Sequence, residues 1–518
     1  MATVSETQKT QQAELHGRLW KMANDLRGTM DASEFKSYIL GLIFFRYLSE
    51  KVERSVSKLL EDDEHDYVSA WEIEDYREGL AQETISQLGF VIDPEFLFST
   101  LIKKINDDTF DVEDLQKAIN AVTESALGAE SQDDFEGLFD DMDLTSLKLG
   151  RDVKSRSKLI AKVMLNIDDI NFQYENSEID VLGDAYEYMI GMFAASAGKK
   201  AGEFYTPQQV SKILARVVTL GKKDLLSVYD PCCGSGSLLL RVSHEANIRK
   251  FYGQELTSTT FNLARMNMLL HDVSYQDFYI VNDDTLENPH FGHETFSAVV
   301  ANPPYSANWS ADSKFLDDDR FSATGVLAPK SKADYAFVLD MLYHLDENGT
   351  MAVVLPHGVL FRGAAEGKIR EYLIKNKNCL DAVIGLPANI FFGTSIPTVI
   401  LVYKKQRENP DNILFIDASQ DYEKGKNQNI LREEDVEKII EHYSNRKETE
   451  KYSHIASMDE IKENDYNLNI PRYVDTFEEE EPIDISAVMK EIKDLDAEMV
   501  EVDKELNAYL RELGLEEF

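Results

Sequence analysis

The chain has 518 residues, 43% of them hydrophobic, and sets 54 Lys and Arg against 94 Asp and Glu for a net charge of −40. That length implies two or three domains, no run of about 18 apolar residues is present to predict a membrane span, and three cysteines cannot build a disulfide framework. So acidic a surface repels polyanions, so any contact with nucleic acid requires a local basic groove or a second chain that supplies the grip. No Cys/His spacing suggests a zinc site, and no metal is expected. The start, Met1-Ala2-Thr3-Val4-Ser5-Glu6, lacks a signal-peptide pattern, which with the cysteine usage points to a reducing cytoplasm.

Residues 1–165 read as a helical N-terminal domain. Leu19, Met22, Ala23 and Leu26 form one apolar stripe, and Phe35, Tyr38, Leu42, Phe45 and Leu48 another, in steps of three and four. Such stripes are core faces. From 166 to 475 strands alternate with helices, the pattern of a doubly wound α/β sheet. Gly202-Glu203-Phe204-Tyr205-Thr206-Pro207 precedes Gln208 and opens a helix with proline at its start. A strand over 225–229 then enters Asp230-Pro231-Cys232-Cys233-Gly234-Ser235-Gly236-Ser237, and a helix follows at once. Strand, small-residue turn and helix are the layout of a Rossmann-like nucleotide site. The turn is not G-x-G-x-x-G and no P-loop lysine follows it. Its opening acid suits an amine-bearing or cationic ligand better than a pyrophosphate.

The next strand, 250–255, ends in Glu255, 25 positions after Asp230, where an acid bonds the ribose hydroxyls of an adenosine-containing ligand. A third strand, 278–282, ends in Asp283-Asp284-Thr285-Leu286, and Asp284 is the expected partner of an adenine amino group. A fourth, 296–301, runs into Asn302-Pro303-Pro304-Tyr305. The Asn302 side-chain oxygen and the Pro303 carbonyl can each accept one N–H of a planar amine, while prolines offer no competing donor. Tyr305 can stack on the ring that bears the amine. With both hydrogens held, the nitrogen lone pair is free to attack an electrophile. The ligand these parts describe is S-adenosylmethionine (SAM), whose sulfonium methyl is that electrophile.

A long polar loop, 306–332, follows, of the kind that is functional or disordered. Strands are expected over 350–355, 381–386, 398–403 and 413–416. Phe391 and Phe392, ahead of Gly393, are candidates for a second stacking face, although adjacent aromatics are as often core. A helical or irregular segment then leads to about 475. The tail, 476–518, carries 15 acids and 4 bases, and Ile485, Val488, Ile492, Leu495, Met499, Val502, Leu506, Tyr509 and Leu513 recur in steps of three and four. That seam runs for about four heptads, the pattern of a coiled-coil interaction arm.

The segments Leu15 to Trp20, Asp31 to Lys36, Gly202 to Pro207, Asp230 to Gly236, Asn302 to Tyr305 and Leu468-Asn469-Ile470-Pro471-Arg472-Tyr473, in this order, resemble the modification subunits of type I restriction-modification systems, a group of N6-adenine DNA methyltransferases. The resemblance covers nearly the whole chain. It departs at Cys232-Cys233, where Ala or Thr is frequent; small side chains suffice there. The resemblance implies a Rossmann-like SAM-dependent methyltransferase domain between the helical domain and the heptad helix. It implies a cofactor site made by Glu203, Phe204, Tyr205, Thr206, Pro207, Gln208, Asp230, Gly234, Ser235, Gly236, Ser237, Glu255 and Asp284, with 204–207 against the methionine end. Catalysis would lie with Asn302, Pro303, Pro304 and Tyr305, acting on an adenine flipped from the duplex. A separate specificity subunit would read the target, with two copies of this chain per specificity subunit. A restriction and translocation subunit would complete the complex, since no P-loop is encoded here. The tetrad is shared with protein-glutamine methyltransferases, which leaves that activity open, as does a catalytically idle assembly subunit.

Overall fold

A computed structural model describes residues 16–17, 19, 32–170, 186–192, 206–391, 394–426, 428–476 and 485–516. Met22, Ala23, Leu26, Glu203, Phe204, Tyr205 and Phe392 lie outside the described residues. Residues up to Val474 form one compact unit, and those from Asp475 onward form another.

The first unit opens with helices α1 (Ala32–Leu59), α2 (Tyr67–Trp71), α3 (Glu74–Leu88), α4 (Phe98–Asn106), α5 (Val112–Ser125), α6 (Gln132–Phe135) and α7 (Val153–Asp168). The stripe of Phe35, Tyr38, Leu42, Phe45 and Leu48 is buried on α1, as its spacing requires. Asp111 begins α5 with a capping box that closes on Asp114, and Asp152 caps α7 at the Ser155 amide.

A nine-stranded sheet follows, in the order β11-β8-β6-β7-β5-β4-β1-β2-β3. Its strands are β1 (Asp224–Asp230), β2 (Asn247–Glu255), β3 (Phe278–Asn282), β4 (Phe296–Ala301), β5 (Leu345–Pro356), β6 (Leu380–Gly385), β7 (Thr398–Tyr403), β8 (Asn412–Asp417) and β11 (Ser453–Ser457). A small hairpin pairs β9 (Glu423–Lys424) with β10 (Asn429–Ile430). Strands β3, β2, β1, β4 and β5 are mutually parallel, and β7 runs antiparallel between β5 and β6. Chain order reverses between β1 and β4, the switch point where an open α/β sheet leaves a crevice at its carboxyl edge. Helices α8 (Gln208–Val218), α9 (Ser237–Ser243), α10 (Ser258–Leu270), α11 (Asp334–Tyr343), α12 (Ala364–Glu371), α13 (Glu433–Asn445) and α14 (Met458–Glu463) complete the unit.

Helix α10 ties the helical region to the sheet. Thr259 Oγ1 donates to Asp141 at 2.6 Å, Asn262 Nδ2 donates to the same carboxylate at 3.0 Å, and the Arg265 guanidinium donates to the Asp133 and Glu136 carbonyls at 2.8 and 3.0 Å. Tyr47 of α1 donates to the Leu269 carbonyl at 2.6 Å.

Where loop 306–332 was expected to be functional or disordered, it is ordered. Trp309, Phe315 and Phe321 pack together, and the Arg320 guanidinium donates to the Thr285 and Leu286 carbonyls at 2.8 and 3.0 Å and to Asp340 at 2.9 Å. The edge strand β11, which sequence left as helical or irregular, pairs antiparallel with β8.

The second unit contains α15 (Ile485–Glu512), whose seam residues, from Ile485 to Tyr509, are exposed. Among the described residues no helix is long and apolar enough to cross a membrane.

Candidate active site

Strands β1 and β4 pair with Val228 opposite Ala298 and Tyr229 opposite Val299, so Asp230 and Asn302 follow one another across the same sheet edge. The turn after β1 needs its glycines. Gly234 and Gly236 adopt φ of 56° and 77°, and a Cβ on Gly236 would meet Met268 Cε at 3.1 Å. Glu255 locks this turn from the neighbouring strand: one carboxylate oxygen accepts the Gly234 N–H at 3.0 Å and the other the Thr257 N–H at 2.8 Å. Ser235 and Ser237 place their hydroxyls 3.0 Å apart, and Asn267 donates to the Ser235 carbonyl at 3.0 Å, fixing the start of α9. The Thr285 hydroxyl donates to the Pro231 carbonyl, which draws the acidic turn after β3 over the end of β1.

These edges enclose a cavity of ≈ 360 Å³ whose lining includes Cys232, Glu255, Asp284, Asn302, Pro304 and Trp309. Three strand-end residues singled out from sequence, Glu255, Asp284 and Asn302, are therefore brought together. Asp284 and Asp283 differ in their commitments. Asp283 uses both oxygens, on Asn288 and on His290, whereas Asp284 gives Oδ1 alone to the Leu286 and Glu287 amides. Asp230, Gly234, Ser235, Gly236 and Ser237 are not among the lining residues, although Pro231 and Cys232 of the same turn are. Pro207 and Gln208 line a second cavity, of ≈ 400 Å³, with His16, Tyr188 and Ile390.

Burial pushes the Asp230 carboxyl up to about 7, the negative charge of Glu255 adding to the effect. Burial also raises Glu255. Two neighbouring carboxyls that resist ionisation are a donor set completed by a cation, since positive charge beside them restores their charged forms. The residues present thus fit a ligand that carries positive charge.

Asn302 is 6% exposed. Its amide nitrogen donates to Thr206 Oγ1 at 3.1 Å, and its oxygen accepts from the Tyr305 hydroxyl at 2.8 Å. The sequence reading put Thr206 on the cofactor; its hydrogen-bond partner here is Asn302. Pro303 is buried. Phe391 is 1% exposed and meets Tyr305 edge-on, with centroids 5.8 Å apart and planes at 82°. In this arrangement it supports the tyrosine ring and does not face it across a slot. Trp309 lines the cavity from a loop whose composition gave no such signal. Among the described residues no cluster of His, Cys, Asp and Glu could hold a metal ion.

A doubly wound sheet with an Asn-Pro-Pro-Tyr tetrad and an acid-lined cavity at its switch point defines a Rossmann-like methyltransferase. The N-6 DNA methylase family matches residues 177–482, and the HsdM N-terminal domain matches residues 15–167. The methylase subunit of the type I restriction enzyme MpnII from Mycoplasma pneumoniae is 38% identical over 98% of this chain and 97% of its own length. The MjaVIII methylase subunit of Methanocaldococcus jannaschii is 29% identical, covering 99% of this chain and 86% of its own. The crystal structure of the type I restriction-modification methyltransferase subunit from Streptococcus thermophilus superposes with a TM-score of 0.84 at 45% identity, over 90% of this chain and all of that one. The chain belongs to the N-6 DNA methylase family, as a methyltransferase subunit of a type I restriction-modification system.

Proposed function

We propose that this subunit transfers the methyl group of SAM to the N6 amine of an adenine flipped out of duplex DNA, in a complex whose specificity subunit reads the target. The observation that carries the proposal is Asn302, buried on the rim of the cavity that Glu255 and Asp284 also line. Glu255 would hold the ribose hydroxyls and Asp284 the adenine amino group, while the buried carboxyl of Asp230, outside the cavity lining, would act on the cationic end through its charge alone. The bound cofactor supplies an electrophilic methyl.

Asn302 Oδ1 and the Pro303 carbonyl would accept the two hydrogens of the target amine. They leave its lone pair directed at the methyl carbon and stabilise the positive charge that develops on nitrogen. The N–C bond forms as the C–S bond breaks, and the extra proton leaves for solvent afterwards, so no general base is required. Tyr305, braced by Phe391, would stack on the flipped base. Much of the acceleration is then a matter of position.

The net charge of −40 and the exposed apolar seam of α15 support dependence on a partner, a basic specificity subunit that grips DNA; by family resemblance the assembly would hold two copies of this chain per specificity subunit and, in full, a restriction subunit. The site of action would be the cytoplasm.

The test supplies isotopically labelled SAM with unmethylated DNA and with protein acceptors, to the complexes of the native chain and of Asn302→Ala. Label in N6-methyladenine, lost in Asn302→Ala while calorimetric SAM affinity persists, is the expected outcome. Label on protein glutamine would replace this function with another, and absence of SAM binding by the native chain would leave an idle assembly subunit.

A further inference from the structure

Immediately after the tetrad the backbone does something costly. Ser306 takes φ of 50°, in the left-handed region where a Cβ crowds the following carbonyl. What holds it there is one carboxylate. Asp334, at the start of α11, accepts the Ser306 N–H on Oδ1 at 2.8 Å and faces the Ser306 hydroxyl with Oδ2 at 3.4 Å. A charged acceptor on a backbone amide is about twice as strong as a neutral one, and a first-turn position on a helix favours the negative charge.

Asp334 is 1% exposed, so its charge needs a counterion. Arg362 supplies it, with a guanidinium nitrogen 3.0 Å from Asp334 and 3.1 Å from the buried Glu366. The arginine reaches that position by lying on Gly358, where a Cβ would sit 2.5 Å from its Nε. Gly358 and Arg362 follow β5, the neighbour of the strand that carries the tetrad. A second clamp is close by: the Ala333 N–H donates to the Ala307 carbonyl at 2.9 Å.

We propose that Asp334, charge-balanced by Arg362, is a positioning residue for Tyr305: by fixing Ser306 in the left-handed conformation it sets the plane in which the tyrosine ring meets the target base. The carboxylate does not line the cavity; it acts through the backbone of the residue that follows the stacking ring. The assignment rests on the stacking role given to Tyr305 above. It explains why a serine, rather than glycine, stands where φ is positive: the side chain adds its own hydroxyl to the clamp, and the acid pins what a glycine would leave free.

The experiment uses the full chain in its complex and measures steady-state methyl transfer to unmethylated DNA, with calorimetric SAM affinity beside it. Asp334→Ala is expected to lower kcat/KM for DNA by about 100-fold, the scale of an ångström-level misplacement, with SAM affinity unchanged. Adding Ser306→Gly to that variant should return about tenfold, because glycine enters the left-handed region without the steric penalty. A purely structural role for Asp334 would show neither the separation from SAM binding nor the rescue; equal loss of SAM affinity, or no recovery with glycine, overturns the proposal. If the alanine variant does not fold, Asp334→Asn replaces it: a neutral acceptor holds the Ser306 N–H about half as strongly, so a smaller loss of kcat/KM is expected, with SAM affinity unchanged and activity recovered on adding Ser306→Gly, and a loss that glycine does not recover overturns the proposal. Full activity in Asn302→Ala would instead overturn the role of the tetrad, whereas an inactive Asn302→Ala beside a fully active Asp334→Ala would overturn only the positioning role.

Discussion

Asp230 is expected to make the proposed cofactor site sensitive to pH. Its carboxyl sits at about 7 in the folded chain against about 4 when unfolded. Between those values the folded state binds the extra proton, so its contribution to stability is present at low pH and is lost as pH rises towards neutrality. A cationic ligand favours the ionised carboxylate, so affinity for SAM should rise with pH through the neutral range and level off above it. The gain in Tm on adding SAM, followed across that range, checks this: it should grow with pH in the native chain and flatten in Asp230→Asn. An unchanged profile in that variant would take Asp230 out of the binding equilibrium. At this scale the strand-end residues were legible because each closes an apolar run. The bond between Thr206 and Asn302 was not, since it joins side chains 96 residues apart whose approach only the packed sheet decides. Nor was the edge-on contact of Phe391, which depends on how the rings are oriented and leaves no trace in composition.

Among the elements, the buried strands announced themselves. β4 and β7 have the bounds that their apolar runs indicate, because central strands are hydrophobic on both faces. β11 was hidden for the opposite reason: Ser453, His454 and Ser457 break its apolar character, as an edge strand allows. The order in loop 306–332 was hidden too, because a single arginine organises a segment that composition marks only as polar. Arg320 is 3% exposed and pairs with Asp340, itself 0% exposed. Arg320→Ala should therefore cost about 3–5 kcal/mol, the usual penalty for leaving a buried charge uncompensated. Urea denaturation of the two proteins measures the difference; a loss below about 1 kcal/mol would mean that the loop is held by its aromatic residues alone.

For the whole molecule the decisive quantities are charge and the exposed seam. A chain of −40 meets DNA against long-range repulsion, which weakens as salt shortens the screening length. Removing residues 476–518 should abolish co-purification with the specificity subunit while leaving SAM affinity intact, because the cavity lined by Glu255, Asp284 and Asn302 is built entirely within the first unit. Light scattering of both forms with the partner distinguishes the cases, and normal assembly by the shortened chain would discard the role of the tail. The antiparallel course of β7 has a practical consequence. It returns the chain through Ile396, 49% exposed, at the end of the sheet where the tetrad lies. Cys233 and Cys379 are buried and Cys232 is half-buried, and burial holds all three thiols well above their ordinary titration range, where few are reactive thiolates. With Cys232, which lines the cavity, replaced by Ala, a cysteine introduced as Ile396→Cys would carry a fluorophore at a single chosen position beside the tetrad, giving a direct optical record of a base arriving and leaving.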